Sequence, residues 1–80
     1  MNDVELYPNP VTDMVTIMST FKVAKIRVLN LMGQEVEVFL VIEETTDKSF
    51  VLPVSNLPPG NYFVEVTGDE AREVRKLVVE

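Results

Sequence analysis

The 80-residue sequence contains neither cysteine nor histidine. Without cysteine, the chain forms no disulfide and offers no thiolate ligand to a metal. Without histidine, it lacks both the commonest general base and the commonest zinc ligand. Serine, lysine and carboxylate side chains are therefore the remaining candidates for chemistry, and we expect no cofactor.

Basic residues are also few: the chain has 7 basic and 13 acidic residues, which gives a formal net charge of −6. An acidic surface repels nucleic-acid phosphates and anionic lipid head groups, so we expect neither nucleic-acid binding nor direct membrane insertion. No apolar run approaches the roughly 20 residues that span a bilayer. The first five residues lack the basic and apolar stretches of a signal peptide.

The length of the chain predicts a single domain over residues 1–80. A domain this small buries only about 60% of the surface that its unfolded chain exposes. Its thin core leaves little room for an enclosed, dry catalytic cleft, so we expect no enzymatic activity.

Apolar residues recur with a period of two, and β-branched residues dominate them, which is typical of β-strands. Gly33 supplies the positive φ of a tight reversal, and Pro53 suggests an edge strand. Two prolines around Asn9 predict an edge or a crossing between sheets. Residues 43–48 are expected to form a solvated loop. Strands are predicted at residues 4–7, 15–18, 25–29, 35–42, 50–54, 61–66 and 73–79.

Seven short strands separated by turns predict an all-β fold: an immunoglobulin-like antiparallel β-sandwich with Greek-key connections. The apolar face of each strand then defines the core. A one-residue slip would turn Val74 and Val78 inward instead of Leu77 and Val79. The predicted core comprises Ile17, Ile26, Val28, Val36, Val38, Tyr62, Val64, Val66, Leu77 and Val79.

The candidates for chemistry are weak. A serine nucleophile needs a base, and without histidine only a pairing with Lys48 or Lys76 is conceivable. The adjacent carboxylates Asp69 and Glu70 fall in a turn where water keeps both ionised, as do Glu43 and Glu44. Such oxygen ligands suit calcium, but the spacing of a calcium loop is absent.

Two further patterns have structural explanations. Arg72, Arg75 and Lys76 gather on the last strand, where we interpret them as surface charge, with Lys76 opposite Glu65. Aromatic residues can form a carbohydrate-binding face, but their spacing here favours packing in the core and between the sheets. These aromatic residues are Tyr7, Phe39, Phe50, Tyr62 and Phe63.

Three stretches, taken together, resemble the C-terminal sorting domain of the type IX secretion system. Residues 7–13, YPNPVTD, are similar to the opening block of that family. Residues 26–36, IRVLNLMGQEV, are similar to its central hairpin. Residues 57–64, LPPGNYFV, and 76–79, KLVV, are similar to its closing strands. Their order and spacing extend across almost the whole chain.

The resemblance implies a β-sandwich at the C-terminus of a larger exported protein of a Gram-negative bacterium. The translocon in the outer membrane recognises such a domain, and a sortase-like peptidase commonly removes it. The attached cargo protein is then secreted or held at the cell surface. One departure is that family members usually finish with Lys or Arg, whereas this sequence ends at Glu80.

Two functional hypotheses follow. In the first, the domain is a secretion signal whose translocon-recognition residues lie in the C-terminal hairpin, residues 60–80. In the second, it is a non-catalytic spacer or adhesion module of a larger secreted protein. The suspected recognition residues are Gly60, Tyr62, Arg75, Lys76, Leu77, Val78 and Val79.

Overall fold

The computed structural model describes residues 3–38, 41–42 and 48–80, with only the backbone of residues 41–42. These ranges contain eight strand segments and no helix. The described residues therefore include no helix that is long and apolar enough to cross a bilayer. The strands are β1 (Val4–Tyr7), β2 (Met14–Ser19), β3 (Lys25–Asn30), β4 (Glu35–Val36), β5 (Val41–Ile42), β6 (Ser49–Pro53), β7 (Gly60–Thr67) and β8 (Arg72–Val79).

The strands form two four-stranded sheets, and every neighbouring pair is antiparallel. Sheet A has the order β1-β2-β6-β5, and sheet B has the order β4-β3-β7-β8. This division matches the immunoglobulin pattern, in which the first, second, fourth and fifth main strands oppose the third, sixth and seventh. The expected all-β, immunoglobulin-like sandwich is confirmed, while its Greek-key connectivity stays a prediction.

The core fills the space between the two sheets. Seven of the ten predicted core residues are buried, and Ile26, Val36 and Val38 pack against them while half-buried. The inward orientation of Leu77 and Val79 is correct. The predicted core left out seven further buried residues, mostly from sheet A: Val4, Val11, Val15, Phe50, Leu52, Val54 and Leu57. Of these, only Phe50 is among the aromatic residues whose spacing predicts packing.

The single strand predicted over residues 35–42 is wrong. Glu35 and Val36 form β4 in sheet B, whereas Val41 and Ile42 form β5 in sheet A. A period of two specifies which side chains point inward but not the sheet to which they belong, because both sheets face the same core.

The edge position predicted from Pro53 is also wrong, since β6 lies between β2 and β5. The Val54 amide donates to the Asp13 carbonyl 2.8 Å away, on the β2 side. Because successive amides of a strand alternate in direction, the missing N–H of Pro53 faces the β5 side. Within the described residues, β5 pairs with Phe50 and Val51, so the missing N–H of Pro53 lies beyond that described pairing.

The segment around Asn9 crosses between the sheets, as one of the two sequence alternatives predicted. Both peptide bonds that precede its prolines are cis. The chain leaves sheet A after Tyr7, and Val11 then forms an isolated parallel bridge with Val79 of sheet B. This crossing brings the N-terminal part of the chain onto the last strand.

Candidate functional site: the C-terminal hairpin

Strands β7 and β8 form the longest hairpin of the described residues, paired from Gly60 opposite Val79 to Thr67 opposite Arg72. The Gly68 amide donates to the Ala71 carbonyl at 2.7 Å and closes the turn. A Cβ at position 68 would lie 2.6 Å from the Lys22 carbonyl oxygen and 2.8 Å from the Phe21 ring. The hairpin tip therefore packs so closely on the β2–β3 connection that only glycine fits.

The entry of the hairpin is held by Gly60 and Tyr62. Gly60 has a φ of 155°, in a region that is essentially restricted to glycine. The buried Tyr62 donates its hydroxyl proton to the Pro58 carbonyl at 2.6 Å. This contact is the tyrosine corner of immunoglobulin-like sandwiches, and it fixes the approach of β7 to the core.

Residues of β8 with odd numbers face the core side of sheet B. Leu77 and Val79 are 0% and 3% exposed. Both belonged to the predicted recognition set, but a partner that binds the folded domain has no access to their side chains. Their placement instead holds β8 in the sandwich.

Arg75 lies on the same side, at the rim where β8 meets β1. Its guanidinium donates to Asp3 Oδ1 at 2.9 Å, to Glu73 Oε1 at 2.9 Å and to the Val4 carbonyl at 3.2 Å. The bond to Asp3, followed by that to Glu73, raises the pKa of Arg75, and the same Arg75 bond lowers the pKa of Asp3. Arg75 thus connects the two sheets.

Residues of β8 with even numbers face away from the core. Arg72, Val74 and Lys76 are exposed on this outer face, and Val78 is half-buried. Consecutive residues of a strand point to opposite faces, so Arg75 and Lys76 present their charges on different sides. The interpretation that Lys76 lies opposite Glu65 is wrong, because Glu65 pairs with Val74 and Lys76 pairs with Phe63.

Glu65, in the centre of this outer face, is only 6% exposed although it does not point into the core. Its Oε1 accepts from Arg27 Nε at 2.8 Å, and its Oε2 accepts from Arg72 at 2.9 and 2.6 Å. The hydrogen bonds from Arg72 and then Arg27 lower the pKa of Glu65, which outweighs the opposing effect of burial. Sequence reasoning missed this cluster, because its three members come from three different strands.

The outward backbone edge of β8 is partly closed. The Asn9 side-chain amide donates to the Lys76 carbonyl at 2.9 Å and accepts from the Val78 amide at 3.0 Å. Val11 donates to the Val78 carbonyl at 2.9 Å and accepts from the Glu80 amide at 2.8 Å. The crossing segment therefore occupies the hydrogen-bonding groups that an added strand would need on the terminal half of β8.

The weaker candidates for chemistry divide between the two sheets. Ser19 and Lys48 are neighbours at sheet A, where the Ser19 amide donates to the Lys48 carbonyl at 2.8 Å and the Ser19 hydroxyl donates its proton to the Phe21 carbonyl at 2.6 Å. Lys76 lies on sheet B. Asp69 and Glu70 are exposed, and the described ranges contain no group of three potential metal ligands. Residues 43–47 lie outside the described residues, so the predicted loop and the pair Glu43 and Glu44 have no structural account.

The aromatic residues divide into three groups. Phe50 and Tyr62 are buried as predicted, whereas Tyr7 is 47% exposed, so its assignment to the core is wrong. Phe63 is half-buried on the outer face of sheet B, and Phe39 lies outside the described residues. The buried rings serve packing, as the sequence interpretation proposed.

Strand order and the tyrosine corner define a small immunoglobulin-like module with an extended C-terminal hairpin. Residues 5–80 match the family described as secretion system C-terminal sorting domain. The chain belongs to this family, because the match covers all but its first four residues. A search of curated proteins found no match.

Family membership establishes the main function. The domain is a C-terminal secretion signal for the type IX system, which interacts with the secretion machinery and acts while attached to a cargo protein. Its destination is the cell surface or the medium, reached through the outer membrane. The resemblance found in the sequence is thereby confirmed.

Proposed function

We propose that residues 60–80 contain the sorting information and that the type IX translocon recognises them as a folded hairpin within one domain of residues 1–80. The family match, which extends through Glu80, supports a sorting role for the domain, and the β7–β8 hairpin offers a folded surface at the end of that match. We further propose that the domain has no catalytic activity and that a sortase-like peptidase removes it from its cargo.

The suspected recognition residues have different roles in the hairpin. Gly60 and Tyr62 set the entry of the hairpin, and Leu77 and Val79 hold β8 against the core. Arg75 ties β8 to β1, which leaves Lys76 and Val78 of this set on the outer face. The translocon would therefore contact few of these residues, and the others keep the contact surface in place.

An export assay tests the proposal. Residues 1–80 are fused behind a periplasm-directed fluorescent reporter in a host with this secretion system, and reporter in the medium and on protease-accessible surfaces is measured. We expect the intact fusion to leave the periplasm and a fusion lacking residues 76–80 to remain there. Export of the truncated fusion at the full level would show that the signal lies elsewhere.

A second variant separates recognition of a folded hairpin from recognition of a linear sequence. Leu52→Ala removes a fully buried side chain of sheet A and leaves residues 60–80 unchanged. The cavity costs about 2–5 kcal/mol, a large part of the stability of so small a domain. We expect export to fall as the unfolded fraction rises. Failure of a folded, intact fusion to be exported would instead favour the spacer module.

A further inference from the structure

We propose that the outer face of sheet B is the docking surface of this sorting domain, and that its partner is an acidic protein surface of the secretion machinery. This inference rests on the proposed function of the hairpin and specifies what the machinery contacts. We call this surface the basic face; it is defined by Lys25, Arg27, Arg72, Val74, Lys76 and Val78.

The charge of this face opposes that of the whole domain. Four of the seven basic residues of the chain lie on it, although the formal net charge is −6. Within the described part of these strands, only Glu35 and Glu65 add acidic side chains to the face. A positive patch on an acidic domain orients an approaching acidic partner, because the rest of the surface repels it.

The arginines of the basic face are already held in place. Glu65 accepts from Arg27 and Arg72 together, while Glu35 accepts from Arg27 at 3.4 Å. Each guanidinium has five N–H donors, so both retain donors for a further carboxylate. Their side chains are 33% and 64% exposed, which leaves them accessible. Because Glu65 orders them beforehand, binding loses less side-chain entropy.

Apolar side chains lie between the charged ones on this face. Val74 is 39% exposed between Arg72 and Lys76 on β8, and Val78 and Phe63 are half-buried beside Lys76. Protein interfaces typically combine such apolar contacts with polar and charged ones. A nucleic acid or an anionic membrane needs a denser positive field, and the interspersed carboxylates of Glu35 and Glu65 weaken the field here. The combination therefore fits a folded acidic protein.

The closed edge of β8 favours recognition through side chains. Asn9 and Val11 already bond the backbone from Lys76 to Glu80. Strand addition over these residues would first have to displace that segment. The side chains of Lys76 and Val78 project from the outer face of sheet B and not from the hydrogen-bonding edge of β8. A partner can therefore contact them without displacing the crossing segment.

Charge reversal in the export assay tests the inference. Lys25→Glu and Lys76→Glu, combined, should reduce export about tenfold, since like charges then face an acidic partner. The matched control combines Lys22→Glu and Lys48→Glu, an equal charge change at two exposed lysines outside the basic face. Thermal unfolding of each purified domain verifies that all variants fold.

A photo-crosslinking experiment adds a readout that does not depend on charge. A photoreactive amino acid at Val74 is compared with one at Met18, which has similar exposure, 39% against 42%, but lies on the outer face of sheet A. We expect Val74 alone to crosslink to an envelope protein during export. The yield should fall when Lys25→Glu and Lys76→Glu are introduced.

The remaining outcomes contradict the inference. If the folded double variant is exported normally while the intact fusion is exported, the basic face is not the docking surface, although the proposed function stands. If the intact fusion is not exported, both fail. Binding of the purified domain to phosphatidylglycerol vesicles, or reversible dimerisation in ultracentrifugation, that is lost in the double variant would assign the face to a membrane or to a second copy.

Discussion

The last strand, β8, has two faces whose residues differ in what they contact. On the inner side, Leu77 and Val79 are buried and Arg75 bonds to β1 of the opposite sheet. On the outer side, Val74 and Lys76 remain exposed beside the Glu65 cluster. The inner face holds the strand in the fold, and the outer face remains accessible to a partner. Substitutions on the two faces should therefore separate stability from export.

We expect the largest difference in unfolding free energy between the variants Leu77→Ala and Val74→Ala. Leu77 is 0% exposed, so its truncation removes buried surface, leaves a cavity and costs about 2–5 kcal/mol of unfolding free energy. Val74 is 39% exposed, and its truncation costs about 0.5–1 kcal/mol. Urea unfolding measures both. Equal losses would show that the two faces do not differ in packing.

The next effect concerns Glu65, the buried carboxylate among the described residues of the outer face. Glu65→Gln removes the charge that both arginines bond, and we expect a loss of about 1–3 kcal/mol. Glu35→Gln is the control, because this side chain is 59% exposed and its contact with Arg27 is longer, at 3.4 Å. An exposed pair contributes only about 0–1 kcal/mol. A silent Glu65→Gln variant would contradict the structural role of this cluster.

The same cluster predicts a dependence on pH. The pKa of Glu65 is lower in the folded domain than in the unfolded chain, because Arg72 and Arg27 bond its ionised form. Its stabilising contribution is therefore present above the unfolded pKa, about 4.3, and is lost as the pH falls through the folded pKa. Unfolding free energies measured from about pH 6 down to about pH 3 should decline less in Glu65→Gln than in the unmodified domain.

A smaller effect is expected at the closed edge of β8. Asn9→Ala removes two exposed hydrogen bonds to the strand and should cost about 1 kcal/mol. Amide exchange supplies the sharper readout: the Val78 amide, which donates to Asn9, should exchange faster, whereas the Val79 amide faces β7 and should not. Asn56→Ala, at an exposed asparagine in the β6–β7 connection, is the control.

We expect the smallest difference in stability between variants of the neighbouring cations Arg75 and Lys76. Arg75→Gln breaks contacts to Asp3, Glu73 and Val4, and we expect a loss of about 0.5–1 kcal/mol that added salt reduces. Lys76→Gln should leave the melting temperature almost unchanged but lower export. A variant of Lys76 that destabilises the fold more than the Arg75 variant would reverse the assignment of the two faces.

The properties that the sequence predicts correctly are those that depend on neighbouring residues. Alternation along residues 73–79 places Leu77 and Val79 inward, and Gly33 adopts the positive φ, 81°, that its reversal needs. The family motifs are also local, and they led to the correct family. Each motif is short, and the family follows from the order and spacing of the motifs, which are read directly along the chain.

Long-range features did not follow from the pattern. Residues 35–42 alternate as one strand would, yet β4 and β5 belong to different sheets. The interpretation of Lys76 as the partner of Glu65 was wrong because the register of a pair depends on both strands and the turn between them. Tyr7 is aromatic, as many core residues are, but its position in β1 points its side chain outward.

The sequence by itself determined the fold class and the inward face of most strands, because backbone propensity and the period of two act between near neighbours. It also determined the family, through motifs whose order and spacing are read along the chain. Only the tertiary structure decided what each charged side chain does. It brought Glu65 between arginines of two other strands and Asn9 onto the edge of a strand nearly seventy residues later. Contacts between such distant residues depend on sheet order and register, which the packing of the whole domain sets.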